Sequence, residues 1–362
     1  MRRITHTILA AFLIIQTASA QNQKNGIGHW TINHIVSEKI TTDTEFVIKP
    51  KTKFMAKVES NSFGSSLEVS ANDINAEISA LTKQNFGINF SWRGIGVGYS
   101  FAPKYMVESK ANKEWDFDYY GQKIGGHFEY QDIRDFEGSI NKNGDKESTI
   151  NIHNAMMKTL IIDVFWVFNN KKFSIPAVFN QSMIQRKSAG GWLASAMFCN
   201  RKFSSDINDE YGLFKSMKDS KKSFLAIGGG YGYNFVSKNQ KWLIHGSALP
   251  YISIWKDVVY DGLANSQTST TTSTPSQVAG LGNTSTTTTT SSSTTSNSNS
   301  GFGLDPEFFM NVKLGLSYSF RRSYFGLSGY IQYDIMNQEE LEVTYTKYQI
   351  NLFYGIRFGG NR

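Results

Sequence analysis

Polarity alternates with a period of two along much of this chain, and most sharply near its end. Tyr348, Ile350, Leu352, Tyr354, Ile356 and Phe358 take every second position, while Gln349, Asn351, Gly355 and Arg357 take most of the others. A strand with this pattern is apolar on one face and polar on the other. Its length, about eleven residues, is what a tilted strand needs to cross a bilayer. The aromatic residue four positions before the last one predicts the closing strand of a transmembrane barrel, with the aromatic end that barrel-insertion machinery reads.

The same alternation predicts further strands. Phe86, Ile88, Phe90 and Trp92 lead through Arg93-Gly94 into Ile95, Val97, Tyr99 and Phe101, a hairpin whose two apolar sets share a face. Ile124 to Tyr130 follows, then Leu160 to Phe168, which turns at Asn169-Asn170 into a predicted return strand over Phe173, Ile175, Ala177 and Phe179. Trp192 to Phe198, Leu225 to Phe235, Trp242 to Pro250, Phe308 to Phe320 and Phe325 to Ile335 complete the series. Weaker candidates are Phe54 to Val58, Leu67 to Val69 and Phe46 to Ile48. Counting from Leu67 gives about 12 strands, and adding the two earlier candidates gives 14.

The expected fold is therefore all-β, an antiparallel transmembrane β-barrel of about 12 strands with 14 as the alternative. Arg93-Gly94, 186–188, 237–240 and 321–323 then fall on the periplasmic side, and 102–119, 202–222 and 256–307 outside. Two connections fit this plan badly. Asn169-Asn170 becomes a tight outer turn, and residues 132–158 become a long periplasmic excursion.

The chain divides into a signal peptide (1–20), a periplasmic lead-in (21–52) and the barrel (53–362). Arg2 and Arg3, the apolar run Ile8 to Ile15 and Ala18-Ser19-Ala20 match a secretory leader cleaved after Ala20. The run is too short to span, and the absence of cysteine at the cleavage point excludes a lipoprotein anchor. Residues 265–300 are nearly all Ser, Thr, Asn and Gly, too polar to offset the entropy of ordering, which predicts a disordered surface loop.

Composition adds three limits. Without its leader the chain loses two of 37 basic residues and none of 30 acidic ones, a net of +5 with no long basic run, which speaks against nucleic acid. Cys199 is the single cysteine, so there is no internal disulfide and no cysteine metal cluster. Aromatic residues at 14% with 31 glycines and six prolines suit a barrel with interfacial girdles. The expected girdle comprises Trp166, Phe168, Trp192, Trp242, Tyr318, Phe320 and Phe358.

Placing each apolar set against lipid puts Lys123, His127, Glu129, Asp163, Ser195, His245, Ser247, Lys313, Asp334 and Arg357 in the lumen. There they line a hydrophilic pore or pair into a network that fills a narrow barrel. If the barrel is a channel, Lys313, Asp334 and Arg357 are expected to set its ion preference. Gly228, Gly230 and Gly232 point inward as well, leaving a groove for a loop or cargo. No metal site is expected, because His29 and His34 have no suitably spaced third ligand, and no cofactor.

Some twelve-strand barrels are lipid hydrolases that use Ser and His, and His245 shares a strand face with Ser247. Residues two apart on a strand rise by ~6.5 Å, beyond direct hydrogen-bond reach, so a cross-strand partner would be needed. No catalytic residue is assigned on this basis, and the protein is expected not to be an enzyme, with a lipid hydrolase or other barrel enzyme as the alternative.

Several segments together resemble domain of unknown function family 4421, secreted proteins of Bacteroides-type bacteria. They are Ser91-Trp92-Arg93-Gly94-Ile95-Gly96, the run Val167 to Ala177, Gln185-Arg186-Lys187-Ser188-Ala189-Gly190-Gly191, Gly230-Tyr231-Gly232-Tyr233-Asn234 and Ser247-Ala248-Leu249-Pro250. The likeness runs from about residue 45 to the end, apart from the Ser/Thr insert. It implies a Bacteroidota outer-membrane barrel without an assigned activity and transfers no site residues. The expected role is a narrow, porin-like channel or a structural, surface-display barrel. Its expected partners are outer-membrane lipids and lipopolysaccharide, with the Sec translocon and barrel-assembly machinery during biogenesis.

Overall fold

The computed structural model describes residues 42–71, 74–105, 112–142, 145–205, 219–261, 297–301, 307–338 and 341–360. The leader and its cleavage point, and residues 265–296 of the Ser/Thr-rich stretch, lie outside them. The strands, in chain order, are β1 (Val47–Ile48), β2 (Phe54–Ala71), β3 (Ile74–Ala80), β4 (Lys83–Trp92), β5 (Ile95–Phe101), β6 (Lys113–Tyr120), β7 (Ile124–Lys142) and β8 (Asp145–Val167). Then come the four-residue helix α1 (Pro176–Phe179), β9 (Ile184–Gln185), β10 (Ala189–Ser204), β11 (Asp219–Val236), β12 (Trp242–Asp261), β13 (Asn297–Gly301), β14 (Phe308–Phe320), β15 (Ser323–Gln338) and β16 (Leu341–Phe358).

Twelve of these strands close an antiparallel ring in the order β2-β4-β5-β6-β7-β8-β10-β11-β12-β14-β15-β16, with β16 returning to β2 over Phe358↔Phe54 to Glu342↔Ser70. The predicted count of twelve is correct, but one of the twelve is not a strand and one wall strand stands in its place. Phe173 to Phe179 is not a return strand: it folds into the lumen and contains α1, which begins at Pro176, where proline costs no hydrogen bond. The missing strand is β6, which lies inside the segment expected to be the outer loop 102–119. With these exchanged, Asn169-Asn170 is not an outer turn and 132–158 is not a periplasmic excursion. Residues 132–158 instead form the far halves of β7 and β8.

Phe54 to Val58 and Leu67 to Val69 belong to one strand, β2. Phe46 to Ile48 adds nothing to the wall, since β1 pairs only with β9 in a separate two-stranded sheet. The last residues of the Ser/Thr-rich stretch pair with β12 as β13 rather than remaining unstructured.

The end at which β2 begins and β16 finishes is called here the plug end, and the opposite one the loop end. A band of exposed apolar side chains circles the plug half: Ile88 and Phe90 on β4, Trp192 on β10, Phe235 on β11, Leu314 on β14, Leu352 and Tyr354 on β16. Between them the inward positions are polar. Five of the expected girdle aromatics, Trp166, Phe168, Trp192, Trp242 and Phe320, are exposed, and Tyr318 and Phe358 are half-buried; all seven gather near the plug end. A closed ring with an apolar exterior satisfies every ladder hydrogen bond without an edge, which is what hydrocarbon demands of a spanning chain. This half is a transmembrane barrel.

The loop half inverts that polarity. Phe63, Leu67 and Val69 on β2, Ile133, Phe136 and Ile140 on β7, and Ile152 and Met157 on β8 point inward and form one buried cluster with Phe203 and Tyr345. Beyond the bilayer the outside meets water, so the inside is the only dry place for apolar side chains. The wall also contracts there. Strands β4, β5 and β6 stop partway, and β3 alone bridges the far half of β2 to the far half of β7. One strand replaces three, and barrel diameter falls with strand number. β7 forks at a bulge between Arg134 and Phe136, where Asp135 takes a φ of 74°.

Candidate functional site

Residues 168–188, between β8 and β10, fold back into the plug end of the barrel. Phe173, Ile175 and Val178 are buried against the wall. Gln181, at a φ of 58°, ends α1 by donating its Nε2 to the carbonyls of Ala177 (2.7 Å) and Val178 (3.1 Å). Arg357 of β16 holds the same residue, with Nε donating to the Gln181 carbonyl at 3.2 Å and Nη2 to its Oε1 at 2.5 Å. Asn180 Nδ2 donates to the Gly94 carbonyl at 3.2 Å. Arg357, expected in a pore lining, is thus a clasp for the plug.

The groove expected beside the inward glycines is occupied. A Cβ on Gly232 would lie 2.9 Å from the Phe173 ring of the plug, so any side chain here must displace that ring. The spaces at Gly228 and Gly230 are taken by Tyr251 and by the Ala248 backbone.

The lead-in closes over the plug. β1 pairs with β9, and Arg186 N donates to the Phe46 carbonyl at 2.7 Å. Lys187 Nζ lies 2.7 Å from Glu45, and this ammonium holds the Glu45 carboxyl below its usual range. A lowered native value means that the clasp stabilises the lead-in above the unfolded carboxylate pKa and is lost as pH falls through the native one. Protection of the Phe46 and Val47 amides, measured against their intrinsic exchange rates at each pH, is expected to fall in acid and stay unchanged between neutral and mildly alkaline pH.

At the loop end of the membrane band a buried ion cluster crosses the lumen. Arg201 Nη1 reaches Asp334 at 3.4 Å, Lys222 reaches Asp334 at 3.3 Å and Glu307 at 2.8 Å, and Lys256 reaches Glu307 at 3.3 Å. The Arg201 guanidinium lies 3.2 Å from the Tyr345 ring centre. Asp334 is fully buried and engaged twice, so it does not line a water path.

Between the ion cluster and the plug lies a chamber of about 120 Å³, room for about four waters. Its lining holds six carboxylates, Glu59, Glu114, Asp116, Asp118, Glu129 and Asp163, against Lys57, Lys313 and His127. Strand β6 supplies three of the acids because Glu114, Asp116 and Asp118 alternate with Trp115, Phe117 and Tyr119. Glu129 is paired with Lys347 and accepts from His127 Nε2 at 3.3 Å, while His127 Nδ1 meets Asp118 at 2.6 Å. Lys57 pairs with Glu59 at 2.7 Å. Glu114 and Asp116 have neutral partners only among those identified, Asn61, Ser100 and Gln349 for the first and Asn89 for the second. Among the described residues no group of three or more His, Cys, Asp or Glu side chains converges as metal ligands.

The remaining predicted residues separate. Asp163 faces Lys313 at 4.0 Å and accepts from Ser195. Lys123 is not in the lumen: it lies in the turn before β7, where alternation has lapsed, and its Nζ sits 4.2 Å above the ring of outward-facing Trp166. His245 and Ser247, expected to lie beyond hydrogen-bond reach of each other, are in fact in contact. Their backbones are two residues apart, but both side chains leave the same face and converge, so His245 Nε2 lies 3.1 Å from Ser247 Oγ. A cross-strand partner is present as well, with Asn234 Oδ1 of β11 lying 2.7 Å from His245 Nδ1.

Solved structures similar to this chain are bacterial outer-membrane barrels. The outer membrane protease OmpT of Escherichia coli is 7% identical, with 86% of this chain and 98% of that one covered at a TM-score of 0.37. The translocator domain of the autotransporter NalP of Neisseria meningitidis is 10% identical over 95% and 97%, at 0.36. The toluene transporter TodX of Pseudomonas putida is 7% identical over 90% and 93%, at 0.28. Likenesses this low say nothing about the contents of the lumen. No curated protein matches the chain. Residues 41–358 match Domain of unknown function (DUF4421), which covers every strand of the wall, and the chain belongs to that family.

Proposed function

We propose that this protein is a sealed outer-membrane barrel, a structural and surface-display protein rather than an open diffusion channel. The observation that carries this reading is that the lumen is filled at both ends. The plug and lead-in occupy one mouth, and the apolar cluster and ion cluster fill the contracted other half. In this reading the plug end faces the periplasm and the opposite end of the barrel faces outward. The apolar band meets membrane lipid and lipopolysaccharide, and the chain is delivered by the Sec translocon and inserted by the barrel-assembly machinery.

The refolded mature protein is expected to give no steady conductance in a planar bilayer while heat-modifiable migration shows that it is folded. Stable single-channel steps with a charge preference would overturn this reading and restore the channel.

A further inference from the structure

Beside the chamber, where the plug meets β11 and β12, lies a buried polar constellation. Asn234 Nδ2 donates to the Ser174 carbonyl at 2.9 Å and to Gln185 Oε1 at 3.1 Å. Gln185 is itself oriented, because its Nε2 donates to the carbonyls of Lys172 (2.6 Å) and Lys187 (2.9 Å). Two acceptors on the amide nitrogen leave Asn234 Oδ1 facing His245, so Nδ1 of the imidazole must carry the proton. Nε2 is then an acceptor, and the hydrogen it accepts is that of Ser247 Oγ.

The ring is fixed on both sides. Phe173 stacks on it with centroids 6.1 Å apart, and Phe179 meets it edge-on at 5.3 Å. Ser247 opens onto a recess of about 30 Å³ that shares Tyr120, Asp163, Phe179, Asn311 and Lys313 with the chamber. Across the β12–β14 register Ser247 pairs with Lys313 and Leu249 with Asn311, and both Lys313 and Asn311 line the recess with Ser247. Asn311 Oδ1 is buried without a hydrogen-bond partner.

We propose that Ser247 and His245 are a nucleophile and its general base for acyl transfer from a small ester held in the chamber, with Asn234 as a positioning residue. Ser247 Oγ bonds to the ester carbonyl carbon as its proton passes to His245 Nε2, and Lys313 faces the oxygen that gains charge. The carbon–oxygen bond to the alcohol then breaks, and the alcohol leaves with the proton from Nε2. Water repeats the steps on the acyl-serine, releasing the acid and restoring Ser247. The site faces the lumen rather than hydrocarbon, so bilayer lipid is not the substrate. The chamber volume and acidic wall suit a short acyl group on a polar or cationic alcohol. The inference needs the chamber of the sealed barrel but not its electrical silence, so conductance and labelling fail separately.

The test is reaction of the folded, full-length mature barrel with methanesulfonyl fluoride, read by intact mass and peptide mapping. A single adduct on Ser247 is expected, absent in Ser247→Ala and formed about 100-fold more slowly in His245→Gln, the scale of general-base assistance. Asn234→Asp is expected to move the pH profile of labelling upward, because a carboxylate beside Nδ1 favours the imidazolium; a mere tie to the plug would not do so. No adduct on Ser247 in the folded wild-type protein, or equal rates in His245→Gln, overturns the proposal.

Discussion

Asp334→Ala is expected to lower the stability of the folded barrel by about 3 kcal/mol, the lower end of the range for removing one partner of a buried ion pair. Asp334 is fully buried and faces Arg201 and Lys222, themselves almost wholly buried. Lys222 keeps Glu307 at 2.8 Å, which is why the loss falls at the lower end. Arg201 does not recover: among the described residues its Nε and Nη2 already have no hydrogen-bond partner, and its guanidinium keeps the Tyr345 ring beneath it. The measurement is urea unfolding in detergent, followed by the heat-modifiable band. Asp334→Asn, which keeps an acceptor, is expected to lose less. An alanine variant as stable as wild type would mean that the cluster is hydrated and the outer seal leaky.

Gly232→Leu is expected to expel the plug while leaving the ring closed. Its first side-chain carbon would lie 2.9 Å from the Phe173 ring, and the rest of the leucine would occupy the place of that ring. Losing the burial of a phenylalanine costs about 3–5 kcal/mol, and the polar ties from Asn180, Gln181 and Gln185 are spread along one short segment. Chymotrypsin should then cut after Phe173 and Phe179, which are covered in the wild type. The fragments should stay associated until heated, because the wall strands are unchanged. A variant as resistant as wild type would show that the plug is not held through this contact. The ion cluster and apolar cluster lie on the far side of the chamber, so plug release alone is not expected to create a through-pore.

The two clusters explain what was legible in the sequence and what was not. Within the membrane a strand has one set of side chains against hydrocarbon and the other against a polar lumen. Alternation therefore reads directly, as in Tyr348 to Phe358 and in Phe86 to Phe101. Beyond the membrane the phase reverses, with apolar side chains inward and polar ones toward water. A reading that sends every apolar residue to lipid loses the strands there. The far halves of β7 and β8 were hidden for this reason, as the inward positions of Ile133, Phe136 and Ile152 show.

β6 was missed although its signal was present. Glu114, Asp116 and Asp118 alternate with Trp115, Phe117 and Tyr119, but so acidic a stretch resembles a loop until the lumen is known to hold charge. Phe173 to Phe179 alternates as a strand would, and only the tertiary structure decides otherwise. Pro176 starts a helical turn there, and the glycines of the opposite wall leave room for the Phe173 ring.

By itself the sequence determined most of the membrane-facing strands, because these depend on local periodicity against a uniform solvent, while its count of twelve holds because Phe173 to Phe179 stood in for β6. The tertiary structure alone decided which inward groups meet. Arg357 is spent on the plug, Asp334 on a cluster with Arg201 and Lys222, and His245 on Asn234 and Ser247. Such pairings join residues far apart in the chain, or side chains whose convergence depends on rotamer rather than rise, and no spacing rule along one strand contains them.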